Sequence, residues 1–398
     1  MNAPLKQHLI DPEICIRCYT CEATCPIEAI THDDNNVVVD SEKCNQCMDC
    51  IPVCPTGSID EWRVVVQPYT LEEQFEWMEL PEQQEFEHSD SSVETSIEAL
   101  DDEVAQLLAE AHAGAGGKSV APASASKPTI NLYTQGKPAT ATVQGNYRLT
   151  SPDSDSDVRH IILDLGALPF PVLEGQSVGV LAPGTEQEGA DLLPRLYSIS
   201  SPRDGERPNY NNISLTVKRE PQGVCSNYLC DLAPGAEVRL TGPFGSTFLL
   251  PNDQQSRLLM ICTGTGSAPF RAFTMHRQRS TPTLEGTMVL YFGARTADSL
   301  PYFGPLKKVP DSFLTKHLAF SREKDSPRQY VQDALREHAG DVAEYLLDDH
   351  CHVYICGLKA METGVESALS DILQAHNKDW AQHRDNMRSE GRYHVETY

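Results

Sequence analysis

The chain has 398 residues, 57 acidic against 32 basic side chains and a formal net charge of −25, a length that excludes one small module and predicts about two to four domains. Apolar residues make up 40% and charged residues 22%, ordinary for a chain that buries cores, which excludes wholesale disorder. The acidic balance, with no basic run, argues against a cationic face for nucleic acid or for an anionic membrane.

No apolar run is long enough to span a bilayer, and the start, Met1 to Ile10, lacks the charged, apolar and small-residue regions of a secretory signal, so a cytoplasmic protein is expected. Thirteen cysteines would suggest disulfides in a secreted domain, yet eight of them fall within the first 54 residues at metal-ligand spacings. Cys15, Cys18, Cys21 and Cys25 recur 29 residues later as Cys44, Cys47, Cys50 and Cys54, each copy ending in Cys-Pro at Pro26 and Pro55. Between the copies, Ala29–Thr31 and Val37–Val39 flank the turn-rich Asp33–Asn36, which predicts two short strands inside a pair of similar half-domains.

A Cys-x2-Cys-x2-Cys-x3-Cys-Pro run is an iron–sulfur pattern in which three closely spaced thiolates wrap one cubane. The fourth leaves on the far side of a proline-stiffened turn and faces the other half. Cys15, Cys18, Cys21 and Cys54 would then hold one [4Fe–4S] cluster, and Cys44, Cys47, Cys50 and Cys25 the second. Paired zinc sites are the alternative, since Cys-x2-Cys also builds tetrahedral ligation; three cysteines in series, twice, fit zinc poorly.

From Val64 to Gly117 there is no Lys or Arg, while fourteen Asp and Glu supply more than half the net charge. This is a linker candidate. Thr95–Glu98 has the form of a capping box, and Leu100, Val104, Leu107 and Leu108 follow at helical spacing, predicting one amphipathic helix ending near Gly114. Gly114 to Ser126 reads as flexible coil. Packing on a neighbouring domain is the plain role for the helix; docking a partner is the sharper one.

After Lys127, β-rich runs at Ala141–Leu149, Val158–Leu165, Ser177–Leu181, Arg195–Ile199, Ile213–Lys218 and Glu237–Thr241 predict an antiparallel barrel. From Leu258 the pattern alternates. Strands at Leu258–Cys262, Met288–Phe292, His317–Phe320 and His352–Cys356, with a helix near Val331–His338, predict a nucleotide-binding α/β sheet. The fold class is therefore multidomain α+β and α/β: a ferredoxin-like two-[4Fe–4S] domain over 1–64, an acidic linker over 65–126, a β-barrel domain over 127–252 and a Rossmann-like domain over 253–398.

Arg195-Leu196-Tyr197-Ser198 lies on a predicted barrel strand, where an Arg can neutralise a pyrophosphate, a Tyr ring can flank a flavin and a Ser can hydrogen-bond near its reactive nitrogen. Alone, the run is merely a strand with a snorkelling Arg. Gly223-Val224-Cys225-Ser226 precedes a helical stretch whose first amides suit phosphate, and Thr241–Gly245 closes the barrel. Gly264-Thr265-Gly266 follows a strand and opens a helix, fitting either a dinucleotide pyrophosphate or a tight structural turn; the third glycine of the usual fingerprint is missing.

About the first sixty residues resemble bacterial two-cluster ferredoxins, with all eight cysteines of that pattern present. Residues from about 130 to 398 resemble the plant-type ferredoxin–NADP reductases. That resemblance implies that Arg195, Leu196, Tyr197 and Ser198 contact FAD, that Thr216, Val217 and Lys218 line it, and that Val224, Cys225 and Ser226 bind its pyrophosphate. It assigns Thr265 to the nicotinamide nucleotide and sets Cys356, Gly357 and Leu358 beside the nicotinamide. Ser321, Arg322, Arg328 and Tyr330 match the grip on the 2′-phosphate, with Arg328 where the family usually has Lys, which keeps charge but changes fork geometry. Terminal Tyr398 matches the aromatic that covers the flavin ring until nicotinamide displaces it. Ser198, Cys356 and Glu396 would orient the hydride donor. Cys230, Cys262 and Cys351 read as small buried hydrophobes, and the thirteen histidines show no ligand spacing.

The parts together imply electron flow from NADPH to FAD, to two clusters and out to a separate protein. A two-cluster ferredoxin, acidic linker and reductase in this order resembles the reductase components of benzoyl-CoA 2,3-epoxygenases, a family whose partner is a separate di-iron oxygenase. Three alternatives stand beside it: the same chain run backward to reduce NADP⁺, an electron-supply subunit for a hydrogenase or sulfite reductase, and an iron–sulfur sensor with a degenerate reductase half.

Overall fold

A computed structural model describes residues 5–47, 49–51, 53–54, 56–59, 61–81, 104, 106–111, 114, 119–183, 193–208, 210–324 and 326–398. Pro55 and the expected capping box at Thr95–Glu98 lie outside the described residues. In the first module β1 (Leu5–Leu9) pairs antiparallel with β4 (Glu61–Val65), and β2 (Ile30–His32) with β3 (Val37–Val39) across the Asp33–Asn36 turn. Ile10, Ile30, Val37, Val39 and Ile59 form a small core with Cys21 and Cys54. So few apolar side chains supply little burial.

The stretch expected as a linker begins folded. Thr70 and Glu73 form a reciprocal capping box that starts α2 (Leu71–Phe75), after α1 (Thr20–Thr24). Gln74 is buried and exchanges hydrogen bonds with the backbone of Val39 at 3.2 and 3.0 Å, and Asn36 Nδ2 donates to the carbonyls of Gln74, Phe75 and Trp77. Residues 66–77 thus clamp the first module.

Residues 119–126 have no helix or strand, as expected of coil, but are tied to the reductase. Ser119 donates to the Tyr393 carbonyl at 3.2 Å, Asp253 N–H donates to Ser124 Oγ at 3.0 Å, and Ser126 accepts from Asn252 and Arg203. Small residues let this strap lie flat, and its hydroxyls answer polar groups that a flexible coil would leave to water.

Alternation of apolar residues builds the barrel. Its antiparallel sheet runs β8 (Arg195–Ser198), β7 (Ser177–Leu181), β10 (Glu237–Phe244), β5 (Ala139–Arg148), β6 (Val158–Asp164), β9 (Asn212–Lys218), and a bridge from Ile199 to Leu215 joins the two edges. Val143, Ile161, Leu163, Val178, Val180, Leu215 and Leu240 fill the interior. One helix, α3 (Val224–Asp231), packs against it.

The C-terminal module is a five-stranded parallel sheet in the order β13 (Thr315–Phe320), β12 (Met288–Ala294), β11 (Arg257–Thr263), β14 (Cys351–Gly357), β15 (Tyr393–Thr397). Along β11, Leu259 and Ile261 face one core, with α6 (Val331–Glu337), α7 (Ala339–Leu346), α8 (Lys359–Gln374) and α9 (Trp380–Ser389); Leu258, Met260 and Cys262 face the other, with α4 (Ala268–Ser280). A further short helix, α5 (Phe303–Lys308), follows β12. Strand order reverses between β11 and β14, so a crevice opens at their carboxyl ends. The final strand β15 was missed in the sequence because its apolar content is two residues, Tyr393 and Val395.

Barrel and parallel sheet are joined by buried charge. Glu174, fully buried, takes Arg203 Nε at 2.7 Å and Nη2 at 2.6 Å and faces His276 Nδ1 of α4 at 3.3 Å. Arg279 of α4 meets Asp204 at 2.6 Å, and Arg271 binds Glu206 and the Ser200 carbonyl. Burial alone would raise the Glu174 carboxyl; Arg203 and His276 reverse this and hold it far below the usual carboxylate range.

Candidate active site

A single cleft of about 1340 Å³ runs between barrel and parallel sheet. It exceeds the roughly 300–1,000 Å³ of an ordinary small-molecule pocket, so it has room for two large ligands side by side. Its barrel wall carries Arg195, Leu196, Tyr197 and Ser198 of β8, Thr216 and Lys218 of β9, and Val224, Cys225 and Ser226 of α3. A helix leaves its first amides without intrahelical acceptors, and those of α3 open onto the same cleft, beside Arg195. Ser226 Oγ is turned back to the loop, accepting from Glu220 N–H and donating to the Gly223 carbonyl, which leaves the backbone as the anion-binding surface.

The opposite wall is built at the crevice. Thr265, Ser321, Arg322, Arg328, Tyr330, Leu358, Glu396 and Tyr398 all line it. Close approach of the β11 and β14 ends requires glycine: a Cβ on Gly266 would stand 2.2 Å from the Cys356 carbonyl oxygen, and one on Gly357, whose φ is +141°, 2.7 Å from Thr263 Oγ1. Gly264-Thr265-Gly266 is therefore at once a tight turn and a nucleotide rim, and its two readings are not exclusive.

Across the cleft the two walls touch. Ser198 Oγ donates to Glu396 Oε1 at 3.0 Å and Ser177 Oγ to the same oxygen at 3.3 Å. Tyr398 Oη lies 2.7 Å from Thr265 Oγ1, and its backbone N–H donates to the Gly357 carbonyl at 3.0 Å. Thr397 anchors the tail to Glu362 at 2.9 Å.

Three expected residues do not reach the cleft wall. Val217 turns into the barrel core, as alternation along β9 demands between Thr216 and Lys218. Cys356 is fully buried in the core of the parallel sheet, where burial raises its thiol well above the ordinary value. Gly357 lies under Tyr398 and acts through its carbonyl. Sequence reasoning missed Ser177, whose register on β7 faces Glu396, and Arg295, which follows β12 and lines the cleft near Arg322; no pattern marks the first, whereas the second follows the end of a predicted strand. The amphipathic helix expected to end near Gly114 is helical over 106–111, and it brings Leu107, Leu108 and Ala111 onto the cleft, a placement no sequence pattern marks.

In the first module the thiols sort into two groups. Cys25 lines one recess with Cys44, Cys47 and Cys50, while the nearest thiol charges felt by Cys15 and Cys21 include Cys54. Cys25 thus stands with the second run, and the assignment of each set of four thiols to one cluster belongs to the proposal below. Among the described residues no three His, Cys, Asp or Glu converge on a single-ion site; the recess lined by Cys25, Cys44, Cys47 and Cys50 suits a cubane, each iron taking one thiolate.

Residues 7–55 match the family described as 4Fe-4S dicluster domain, 157–248 oxidoreductase FAD-binding domain, and 260–367 oxidoreductase NAD-binding domain. The ferredoxin–NADP reductase of Spirulina sp is 35% identical over 288 residues, covering 68% of this chain and 98% of that protein. The embryo isozyme of rice is 35% identical over 300 residues, covering 69% and 79%. Among solved structures, ferredoxin–NADP⁺ reductase from Plasmodium falciparum superposes with a TM-score of 0.56 at 28% identity, covering 68% of this chain and all of that one; another structure of the same enzyme is solved with 2′P-AMP.

Proposed function

The chain belongs to the ferredoxin–NADP reductase family and carries a 4Fe-4S dicluster domain ahead of it; from that premise we propose that it is the reductase component of an oxygenase system. It is an NADPH-dependent oxidoreductase whose cofactors are FAD, NADP and 4Fe-4S clusters. The acceptor is a separate oxygenase, the benzoyl-CoA 2,3-epoxygenase of aerobic benzoate breakdown, which the order of dicluster, acidic stretch and reductase supports. The division into 1–64, 65–126, 127–252 and 253–398 belongs to the same proposal. Among the described residues no helix is long and apolar enough to cross a membrane.

The observation that carries this reading is the union, on one chain, of eight thiols in two groups with a cleft whose walls meet at Ser198 and Glu396. Bound FAD supplies exchange between a two-electron hydride and single electrons, and the clusters supply one-electron carriage. The chain's own residues do the rest. Arg195 and the first amides of α3 would hold the flavin's pyrophosphate, with Tyr197 against its ring. Arg322 and Arg328, with Ser321 and Tyr330, would hold a 2′-phosphate, a reading supported by the 2′P-AMP complex of the Plasmodium enzyme. Ser198 and Ser177 from one wall and Glu396 from the other would bring the walls together where the reacting carbon and nitrogen meet, and Tyr398, held by Thr265, would stand where a nicotinamide ring enters. Cys356 supports that wall from beneath as a neutral thiol.

Anaerobic titration with NADPH tests the reading: the flavin should bleach, reduced-cluster resonances should follow, and adding the oxygenase component with benzoyl-CoA should reoxidise them. Bleaching with no cluster signal refutes the electron chain, and reoxidation by a sulfite reductase or hydrogenase, but not by the oxygenase, refutes the pathway.

A further inference from the structure

The two clusters are not equivalent in their relation to the reductase. Cys54 and Gly57 line a recess whose other walls, Leu250, Asn252, His276 and Arg277, belong to the barrel's exit and to α4. Among the described residues, the recess around Cys25, Cys44, Cys47 and Cys50 takes its walls from the first module itself. An independent contact lies on the same side as Cys54: Glu13 Oε2, two residues before Cys15, is 3.7 Å from Lys127 Nζ, where the barrel segment begins. The reductase surface reached this way is connected to the cleft through the segment that leads into β7. Leu250 N–H donates to the Glu174 carbonyl at 3.3 Å, and three residues on, Ser177 reaches Glu396 inside the cleft.

Resting on the electron-transfer reading above, we propose that the cluster held by Cys15, Cys18, Cys21 and Cys54 is proximal, receiving each electron from the flavin side, and that the cluster held by Cys44, Cys47, Cys50 and Cys25 is distal and serves the external acceptor. The redox balance is closed: one NADPH becomes NADP⁺ and a proton, and its two electrons leave one at a time, one to each cluster. The order follows from contact, since among the described residues the distal recess shares no wall with the reductase. It also fixes where the acceptor docks, on the Cys44–Cys50 face and away from Lys127.

The test uses full-length holoprotein, wild type and the variants Cys18→Ala and Cys47→Ala, mixed anaerobically with NADPH and freeze-quenched for cluster resonances. The cluster kept in Cys47→Ala is expected to be reduced in the same phase as the first electron of wild type. The one kept in Cys18→Ala is expected to be reduced about tenfold or more slowly, equivalent to about 1.4 kcal/mol of barrier, although dithionite reduces it fully. Equal rates, or the reverse order, overturn the proposal. Wild-type protein whose clusters respond to dithionite but not to NADPH refutes the underlying electron chain instead. Where a variant loses both clusters, carbodiimide coupling of the wild-type holoprotein decides: a Glu13–Lys127 link is expected beside the Lys316–Asp311 link, whose pair stands at 2.6 Å. Absence of the first link in the presence of the second overturns the proposed order.

Discussion

Replacing Glu174 by Gln keeps the shape of the side chain and removes its charge from a place that water does not reach. In the native protein the Glu174 carboxylate accepts from the Arg203 backbone N–H at 2.6 Å and from the Arg203 guanidinium, whose side chain is 1% exposed, and it faces His276 of α4. Removing one partner of a buried pair leaves the other cation desolvated, which costs about 3–5 kcal/mol. At about 2–4 °C per kcal/mol for a domain of roughly 150–250 residues, the reductase portion should melt roughly 10 °C lower. Calorimetry of the flavin-loaded protein measures this, and kcat/KM for NADPH should fall with it, because Glu174 also faces His276 of α4 across the seam between barrel and parallel sheet. The sign with pH is set by a carboxyl held below its usual range: its stabilisation is complete above the unfolded value and is lost only as pH falls through the folded one, so the deficit of the variant should be equal at about pH 6 and about pH 8. A loss of less than about 2 °C, or a deficit that vanishes between those two pH values, would refute the assignment of a charged Glu174 at this seam.

Three further outcomes follow from the cleft. Gly266→Ala places a Cβ 2.2 Å from the Cys356 carbonyl oxygen, so strand ends must part by backbone movement; titration should show NADPH affinity reduced about tenfold or more, and unaltered affinity would mean that the crevice is wider than described. Arg322→Ala combined with Arg328→Ala removes two cations from the nucleotide wall and should raise KM for NADPH about 10- to 100-fold, one or two charge-assisted hydrogen bonds' worth, while leaving NADH kinetics in place; parallel losses for both nucleotides would count against a 2′-phosphate site. Truncation of Tyr398 frees Thr265 of its 2.7 Å partner and should tighten NADP⁺ binding about tenfold by difference spectroscopy, since an aromatic contact contributes about 0.5–1.5 kcal/mol; weaker binding would make Tyr398 part of the nucleotide site instead of a cover over it.

Much of the architecture is written locally. β-rich runs at Val158–Leu165 and Ile213–Lys218 place barrel strands within a residue or two of those observed, and the 29-residue cysteine repeat points to paired clusters. Less legible were elements whose stability is borrowed from distant partners. The Thr70–Glu73 capping box is visible in the sequence, yet its acidic surroundings read as linker, because the hydrogen bonds that hold Gln74 come from Val39. Residues 119–126 have the composition of coil, and their order comes from Asn252, Asp253 and Tyr393.

What the order of residues determined by itself was chemistry: thiolates at cubane spacing, an Arg-x-Tyr-Ser strand, glycines where backbones must touch, and an aromatic end. Tertiary structure alone decided which of these meet. Ser198 and Glu396 are 198 positions apart and share a 3.0 Å hydrogen bond, Val217 is turned inward between Thr216 and Lys218 on the cleft wall, Cys356 is buried in the parallel sheet, and Cys54, not Cys25, faces the reductase among the described residues. Local patterns set residue type and strand phase within a few positions, whereas encounters across a cleft depend on how two cores are oriented, and that orientation rests here on a buried seam of charges contributed by segments 65 to 102 residues apart.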